Sequence, residues 1–239
     1  MMTTPSRRKL HSASPRTLLS LACLLAAASP LPAFAANDTW SSATSGNFNT
    51  GPWSPGVPGS GDNALFSVNG TYTVTFTTFP SNSAFQVSAG NVTFNAGPSV
   101  ESYSLTGSNF VSDTATLTLG AAGSTLTVAS GSISVNGSAA DLIVASHASV
   151  LISGLNIGTL SGNVGTVTNS GSVSLLTAST LNVGTVANTT GILNLAGGTF
   201  ATGTGLTTIG AHGTLTMNGG ALSVYGDILV SGGTLNQST

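Results

Sequence analysis

The sequence predicts an all-β protein, a right-handed parallel β-helix (β-solenoid) with an aromatic-rich N-terminal cap. A twelve-residue pattern recurs in it, as "STLTVASGSISV" from Ser124 and "GTLTMNGGALSV" from Gly213. Apolar residues alternate with Ser, Thr and Asn in short runs that end at Gly, which is typical of strands joined by tight turns. After Ala35 no segment has the apolar period of an amphipathic helix.

The recurring pattern extends into longer, looser copies. "TLGAAGSTLTVASGSISV" from Thr118 aligns with "TIGAHGTLTMNGGALSV" from Thr208, and weaker versions begin at Leu142, Leu181 and Ile228. The implied spacing of about 20 to 26 residues is within the range of solenoid repeats. One copy cannot bury its apolar face alone, whereas stacked copies pair their backbones and share a core. A β-sandwich is the competing fold, but the shared turn residues favour the solenoid.

Residues 1–35 have the three parts of a secretory signal peptide. A basic start, "SRRKLH", precedes the apolar run "TLLSLACLLAAA" and the small-residue cleavage pattern "AFA", which ends at Ala35. The apolar run is too short for a membrane-spanning helix. We expect a mature chain that starts near Ala36 and passes through the periplasm to the cell surface or the extracellular space. The arginine pair in "SRRKLH" resembles a twin-arginine export signal, but the Arg16 interruption favours general secretion.

The mature chain carries very little charge. All four Lys and Arg residues lie in the leader, as does the one Cys. Nucleic-acid binding needs cations to replace phosphate counterions, so this class of function is excluded. Disulfides and thiolate metal sites are excluded as well. The acids of the mature chain are spread along the sequence: Asp38, Asp62, Glu101, Asp113, Asp141 and Asp227.

The mature sequence divides near residue 110. Residues 36–110 hold nearly all the aromatic residues and every proline that follows the leader, whereas residues 111–239 are repeats rich in Gly, Thr and Ser. Proline cannot donate to a β-ladder, so its absence suits strands paired on both sides. We interpret 36–110 as an aromatic cap with the first coils, because a solenoid end must be closed. Since "TLNQST" lies inside a repeat, we expect the repeats at 111–239 to be truncated at the C-terminus.

The start of the mature chain resembles a known family. "WSSATSGNFNTGPWSPGVPGSGDNALF", followed by Gly-rich units such as "LNLAGGTF", resembles the opening of bacterial surface proteins that contain autotransporter-associated β-strand repeats. The resemblance implies an exported, passenger-like β-solenoid with an adhesive or structural role and no catalytic residues to carry over. The matching residues are Trp40, Gly46, Phe48, Trp53, Gly56, Pro58, Gly59, Asp62, Ala64 and Phe66.

Three functions remain open. The leading hypothesis is a non-enzymatic structural or adhesin-like protein whose partners are surface glycans or other cell-surface proteins. A carbohydrate-active hydrolase would need converging carboxylates, and Asp113 with Asp141, about one repeat apart, is the candidate pair. A carbohydrate-binding module would use Trp40 and Trp53 as candidate glycan contacts, although we prefer them as plugs of the first coil.

The sequence offers little support for a metal site or for a catalytic role of its remaining His and Asp residues. His147 and His212 occupy similar turns, "VASHASVLI" and "IGAHGTLTM", and at about three coils apart they would be too distant to share a metal. Asp62 in "GSGDNALF" is expected to bond to nearby backbone amides and to fix the entry into the next strand. We therefore predict no catalytic residue, no metal, no cofactor and no transmembrane segment in the mature chain.

Overall fold

The structure is a computed structural model that describes residues 35–238, and it confirms the predicted β-solenoid. The described residues contain strands and turns without a helix, and they belong to one compact unit that begins at Ala35. The signal peptide predicted for residues 1–35 lies outside the described residues, apart from Ala35.

A nine-stranded parallel sheet forms one side of the coils. Paired residues in neighbouring strands are 20 (Thr71 to Asn91) to 28 (Gly46 to Val74) positions apart in the sequence, close to the predicted spacing. The strands, in stacking order, are β2 (Gly46–Asn47), β5 (Thr71–Phe76), β8 (Asn91–Ala96), β11 (Thr116–Leu119), β13 (Ala140–Val144), β15 (Val164–Asn169), β17 (Thr190–Leu195), β20 (Gly213–Met217) and β23 (Thr234–Gln237).

A fourteen-stranded sheet supplies the rest of each coil. Its strands pair in parallel, except that β1 and β3 are antiparallel. They are β1 (Asn37–Trp40), β3 (Trp53–Ser54), β4 (Asn63–Phe66), β6 (Ser81–Asn82), β7 (Ala84–Val87), β9 (Glu101–Leu105), β10 (Asn109–Ser112), β12 (Leu126–Asn136), β14 (Ala148–Ile157), β16 (Ser172–Val183), β18 (Thr199–Ala201), β19 (Thr207–Ile209), β21 (Ala221–Ser223) and β22 (Ile228–Val230).

The fourteen-stranded sheet has two halves, so each central coil contributes three strand segments. The beginning of β12 pairs with β9 and its end pairs with β10, while β16 pairs with β18 and then with β19. Gly131 lies between the two parts of β12, where a Cβ would overlap the carbonyl of Gly107 in the neighbouring coil. A register shift after Ile152 and a positive φ of 60° at Ala178 mark the same position in β14 and β16. We call these parts the first half and the second half of the sheet.

Alternation places one set of side chains inside and the other outside. In the nine-stranded sheet, residues in register form a continuous inner column that is buried from Tyr72 to Leu215 and ends at the exposed Leu235. Strands with a period of two present alternate side chains to one core, so stacking joins the short apolar runs. The column consists of Tyr72, Val92, Leu117, Leu142, Val167, Leu193, Leu215 and Leu235.

The structure corrects the alignment of the two twelve-residue copies. "STLTVASGSISV" occupies both halves of the fourteen-stranded sheet as β12, whereas "GTLTMNGGALSV" begins in the nine-stranded sheet as β20 and continues into β21. The structural counterpart of Thr214–Thr216 is the earlier segment Thr116–Thr118, which lies in the same stack. The misalignment has a simple cause, because every side of the coil uses the same alternation of Leu or Val with Thr or Ser.

Candidate functional site

The two tryptophans lie at the start of the stack and contact each other. Trp40 in β1 and Trp53 in β3 are neighbours in the antiparallel pair, with ring centroids 5.1 Å apart at 86°. The Trp40 Nε1–H donates to the Thr44 carbonyl at 3.2 Å, and the Trp53 Nε1–H donates to the Phe48 carbonyl at 2.6 Å. Both indoles therefore combine apolar packing with a satisfied donor, which buried tryptophans require.

The surroundings of the indoles favour the plug interpretation. Trp40 is 0% exposed, and it stacks on Tyr72 at 6.2 Å and packs against Phe66. Gly51 is close enough to Trp40 that a Cβ there would overlap the indole ring. Trp53 is half-buried. A sugar cannot stack on Trp40 in this conformation, so glycan contact stays a prediction for the accessible part of Trp53.

The two candidate carboxylates do not stack on each other. Asp141 lies on the outer face of β13, in register with Thr116 and Thr166 of the neighbouring coils. Asp113 lies in the turn before β11 with a positive φ of 54°, and its carbonyl accepts from the Ala139 N–H at 2.9 Å. The two acids are offset along the coil by about three strand positions, roughly 10 Å. The hydrolase alternative gains no support from their register.

The two histidines occupy different corners of the coil. His147 lies between β13 and β14, where the chain leaves the nine-stranded sheet, and His212 lies between β19 and β20, where it returns. The idea that they occupy equivalent turns is therefore wrong. The cause is the misalignment of repeats described above. Within residues 35–238, no group of three or more His, Cys, Asp or Glu side chains could hold a metal ion.

Asp62 closes the turn before β4, as the sequence predicts. Its Oδ2 accepts from the Gly59 N–H at 2.8 Å, and its Oδ1 accepts from the Ala36 N–H at 2.9 Å. These two backbone donors, Ala36 foremost, hold the pKa of the Asp62 carboxyl below its usual value. The turn residue thus also ties down the beginning of the first strand.

The outer face of the nine-stranded sheet is dominated by threonine. Adjacent outer columns of this face carry hydroxyl, amide and methyl groups, with Asp141 as their one charged side chain. Threonine is stiff about χ1 in a strand, so its hydroxyl and methyl groups take defined positions. The threonines of the two columns are Thr71, Thr73, Thr93, Thr116, Thr118, Thr166, Thr168, Thr214, Thr216 and Thr234.

A groove lies on the outer face of the first coils of the other sheet, and sequence reasoning missed it. It has a volume of about 250 Å³ and lies over β4, β7 and β10. Its aromatic wall is Phe110, which is 42% exposed. No motif marks this groove because its residues come from separate coils. We call it the Phe110 groove, and it is lined by Asn37, Asn63, Leu65, Ala84, Phe85, Gln86, Ser108 and Phe110.

Comparisons with known proteins gave no match. No family model matches the chain, and neither a curated protein nor a solved structure is significantly similar to it. The class that the structure defines is thus the parallel β-solenoid. Among residues 35–238 there is also no helix with the length and apolar character needed to cross a bilayer.

Proposed function

We propose that the protein is an exported, non-enzymatic β-solenoid with a structural or adhesin-like role at the cell surface or in the extracellular space. One observation carries the proposal: the ladders and the core continue from coil to coil, from β4 to β20, without an interruption. The backbone of each coil pairs only with the coils on either side of it, so the stack is a stiff element that can be as long as its repeats are numerous. Such an element suits a spacer whose outer sheet faces are available to contact partners.

The composition of the sides supports contact with polar, uncharged partners. The outer columns of the nine-stranded sheet are mostly threonine, and Asn182 donates to Asn156 at 2.9 Å across neighbouring coils of the other sheet. Hydroxyl and amide groups exchange hydrogen bonds with glycan hydroxyls. The partners proposed are therefore surface glycans or other cell-surface proteins.

The proposal of export rests on the leader. Its cleavage pattern ends at Ala35, and the compact unit begins at the same residue. A folding unit that starts where the leader ends is expected of a secreted protein. The resemblance to proteins with autotransporter-associated β-strand repeats supports the same location.

The test is expression of the full chain with a C-terminal epitope tag in a bacterial host, followed by cell fractionation and intact mass. We expect the tag outside the cytoplasm on a chain shortened by the leader. The double variant Ala33→Leu and Ala35→Leu, which removes the small residues at the cleavage pattern, should keep the precursor mass. Recovery of the unshortened wild-type chain from the cytoplasm would contradict the proposal.

The Phe110 groove favours a second candidate, a carbohydrate-binding module. This candidate differs from a purely structural rod in one respect, because it requires a defined saccharide site. Both candidates share the exported solenoid.

A further inference from the structure

We propose that the Phe110 groove binds a neutral saccharide of one or two sugar units. This proposal rests on the proposed function, since it gives the exported solenoid a ligand. The groove combines an exposed ring, amide groups and a small cavity on one face of the first coils.

The shape of the groove follows from strand register. Leu65, Gln86 and Phe110 are in register on successive coils and form one wall, about 9.5 Å from the first to the third strand. Asn63 and Ala84 are neighbours in the next column. The short side chain of Ala84 leaves a depression between longer neighbours. A volume of about 250 Å³ is below that of pockets for drug-sized ligands, which fits a mono- or disaccharide.

The chemistry of the lining selects for a polar, uncharged ligand. The side-chain Nδ2 of Asn63 donates to Oδ1 of Asn37 at 2.9 Å, which fixes both amides side by side. The remaining amide groups and the Gln86 side chain can exchange hydrogen bonds with sugar hydroxyls. The Phe110 ring offers a flat apolar surface for the C–H face of a sugar. Since the lining has no charged side chain, it offers no partner for an anionic sugar.

The experiment titrates the mature chain with neutral disaccharides (cellobiose, maltose, lactose and N,N′-diacetylchitobiose) and with anionic digalacturonate, using calorimetry and NMR. We expect at least one neutral disaccharide to bind and digalacturonate not to bind. Phe110→Ala should weaken binding about tenfold through loss of ring stacking and contact area. Phe79→Ala is the matched control, because Phe79 is 69% exposed and lies outside the groove.

A second variant keeps the test independent of folding defects. Ala84→Leu fills the depression from its outward-facing position and should abolish binding, while circular dichroism and the urea midpoint stay those of the wild type. Failure of all four neutral disaccharides to bind, equal affinity in Phe110→Ala, or preference for digalacturonate would overturn the proposal. Export depends on the leader, so normal export with an empty groove would overturn the saccharide site alone.

A different observation carries a second inference, about the residue that follows the predicted cleavage site. The Ala36 nitrogen lies 2.9 Å from Asp62 Oδ1, and the Ala36 carbonyl accepts from the Asn63 N–H at 2.8 Å. Ala36 is thus held by the second coil on both sides of its backbone. We infer that cleavage between Ala35 and Ala36 places the new α-ammonium group of Ala36 on the Asp62 carboxylate. This inference also rests on the proposed export.

The chemistry of cleavage produces the ion pair directly. Hydrolysis of the Ala35–Ala36 peptide bond consumes one water and leaves a carboxylate on Ala35 and an amine on Ala36, which is protonated at neutral pH. The hydrogen bond from the neutral Ala36 amide to the Asp62 carboxylate becomes an ion pair in which both groups are charged. Ala36 precedes β1, whose one titratable side chain is the buried Asp38, and the sequence has no Lys or Arg after Arg16. Cleavage of the leader therefore adds an ion pair to the hydrogen bonds that hold the start of the first strand against the second coil.

The absence of lysine from the mature chain allows a clean test. Acetic anhydride at neutral pH acylates the α-amine as the one primary amine of that chain, so it removes the ammonium charge without a substitution. We expect N-terminal sequencing to begin at Ala36 and acetylation to lower the urea midpoint of the wild type. In Asp62→Asn, acetylation should have no further effect. The urea midpoint of the unmodified wild type should exceed that of the acetylated wild type below the ordinary α-amino pKa. This difference should disappear as the pH rises above that pKa, because the amine loses its charge.

Three outcomes separate the claims. Export with cleavage at another bond overturns the Ala36 ion pair and leaves the proposed function standing. An equal loss of stability on acetylation in wild type and Asp62→Asn overturns the ion pair as well. A chain that is neither exported nor cleaved overturns the proposed function itself.

Discussion

The two ends of the coil stack differ in what covers their inner residues. At the N-terminal end, the aromatic rings of β1 to β9 fill the coil and, except for the half-buried Trp53, are fully buried, among them Trp40, Phe66 and Tyr103. In the last coils the inner side chains are accessible, with Val230 43% and Leu235 50% exposed. Both ends obey the same alternation, so the pattern sets which way a side chain points. Whether an inward-pointing side chain is buried depends on whether another coil or an aromatic ring covers it.

The inner column of the nine-stranded sheet shows this difference within one set of residues. Leu117 is 0% exposed and Leu235, in the same column, is half-exposed. Burial of apolar surface is the main source of stability. Two leucines with similar local sequences, "TLT" around Leu117 and "TLN" around Leu235, should therefore contribute very differently to stability.

The largest effect is expected from Trp40→Ala. It removes a wholly buried indole that contacts Trp53, Phe66 and Tyr72, and it should destabilise the first coils by about 3 to 5 kcal/mol. Urea unfolding followed by the fluorescence of Trp53 measures this. Trp53→Ala, at a half-buried position, should cost less. Equal costs at the two positions would contradict the plug interpretation of Trp40.

The next prediction compares the two leucines of the column directly. Leu117→Ala should cost about 2 to 5 kcal/mol because it opens a cavity in a covered core. Leu235→Ala should cost less than about 1 kcal/mol, because half of the side chain is already in contact with solvent. Urea unfolding of the two variants followed by circular dichroism measures both. Similar losses would show that the last coil is covered in solution.

A smaller effect is expected at a buried asparagine inside an apolar column. Asn169 is in register with Val144 and Leu195, yet its Nδ2 donates to the Thr199 carbonyl at 2.9 Å and its Oδ1 accepts from the Gly171 N–H at 3.2 Å. Asn169→Leu continues the apolar column but leaves both backbone groups without their partner. We expect a net loss of about 1 to 3 kcal/mol. A more stable variant in the urea titration would show that apolar packing outweighs these two bonds.

The smallest prediction concerns alkaline pH and the N-terminal coils. Burial raises the pKa of Tyr72 to about 12 and also raises the pKa of Tyr103. The folded form therefore keeps its phenolic protons above the ordinary value of about 10. The stability of the first coils should be constant below that pH and fall as the pH rises towards 12. In the double variant Tyr72→Phe and Tyr103→Phe, pH titration of the urea midpoint should show a shallower decline.

The sequence was sufficient for the class of fold, because alternation and Gly turns depend on local chemistry. It failed on the alignment of repeats, since "TLT" occurs on more than one side of the coil and only backbone pairing distinguishes Thr125–Thr127 from Thr214–Thr216. The same error made His147 and His212 look equivalent. Asp62 was predicted correctly, since its partner Gly59 is three residues away, a local contact.

The Phe110 groove could not be predicted, for a related reason. Leu65, Gln86 and Phe110 are separated by about one coil each, and they become neighbours only through strand register. Coil lengths vary, so a one-residue error would turn Phe110 inward. The tryptophans were the more conspicuous candidates for glycan contact in the sequence, but Trp40 is buried in the core.

Hydrogen–deuterium exchange of the mature chain, resolved by peptide, tests the central claim most directly. A stack whose coils pair their backbones only with neighbouring coils opens from its ends, and the aromatic rings cover one of these ends. We predict that amides of β21, β22 and β23 exchange first and that those of β5, β8 and β9 exchange among the last. Faster exchange in β1, β4 and β5 than in the last three strands would contradict the account, because it would show that the aromatic end is the weaker one.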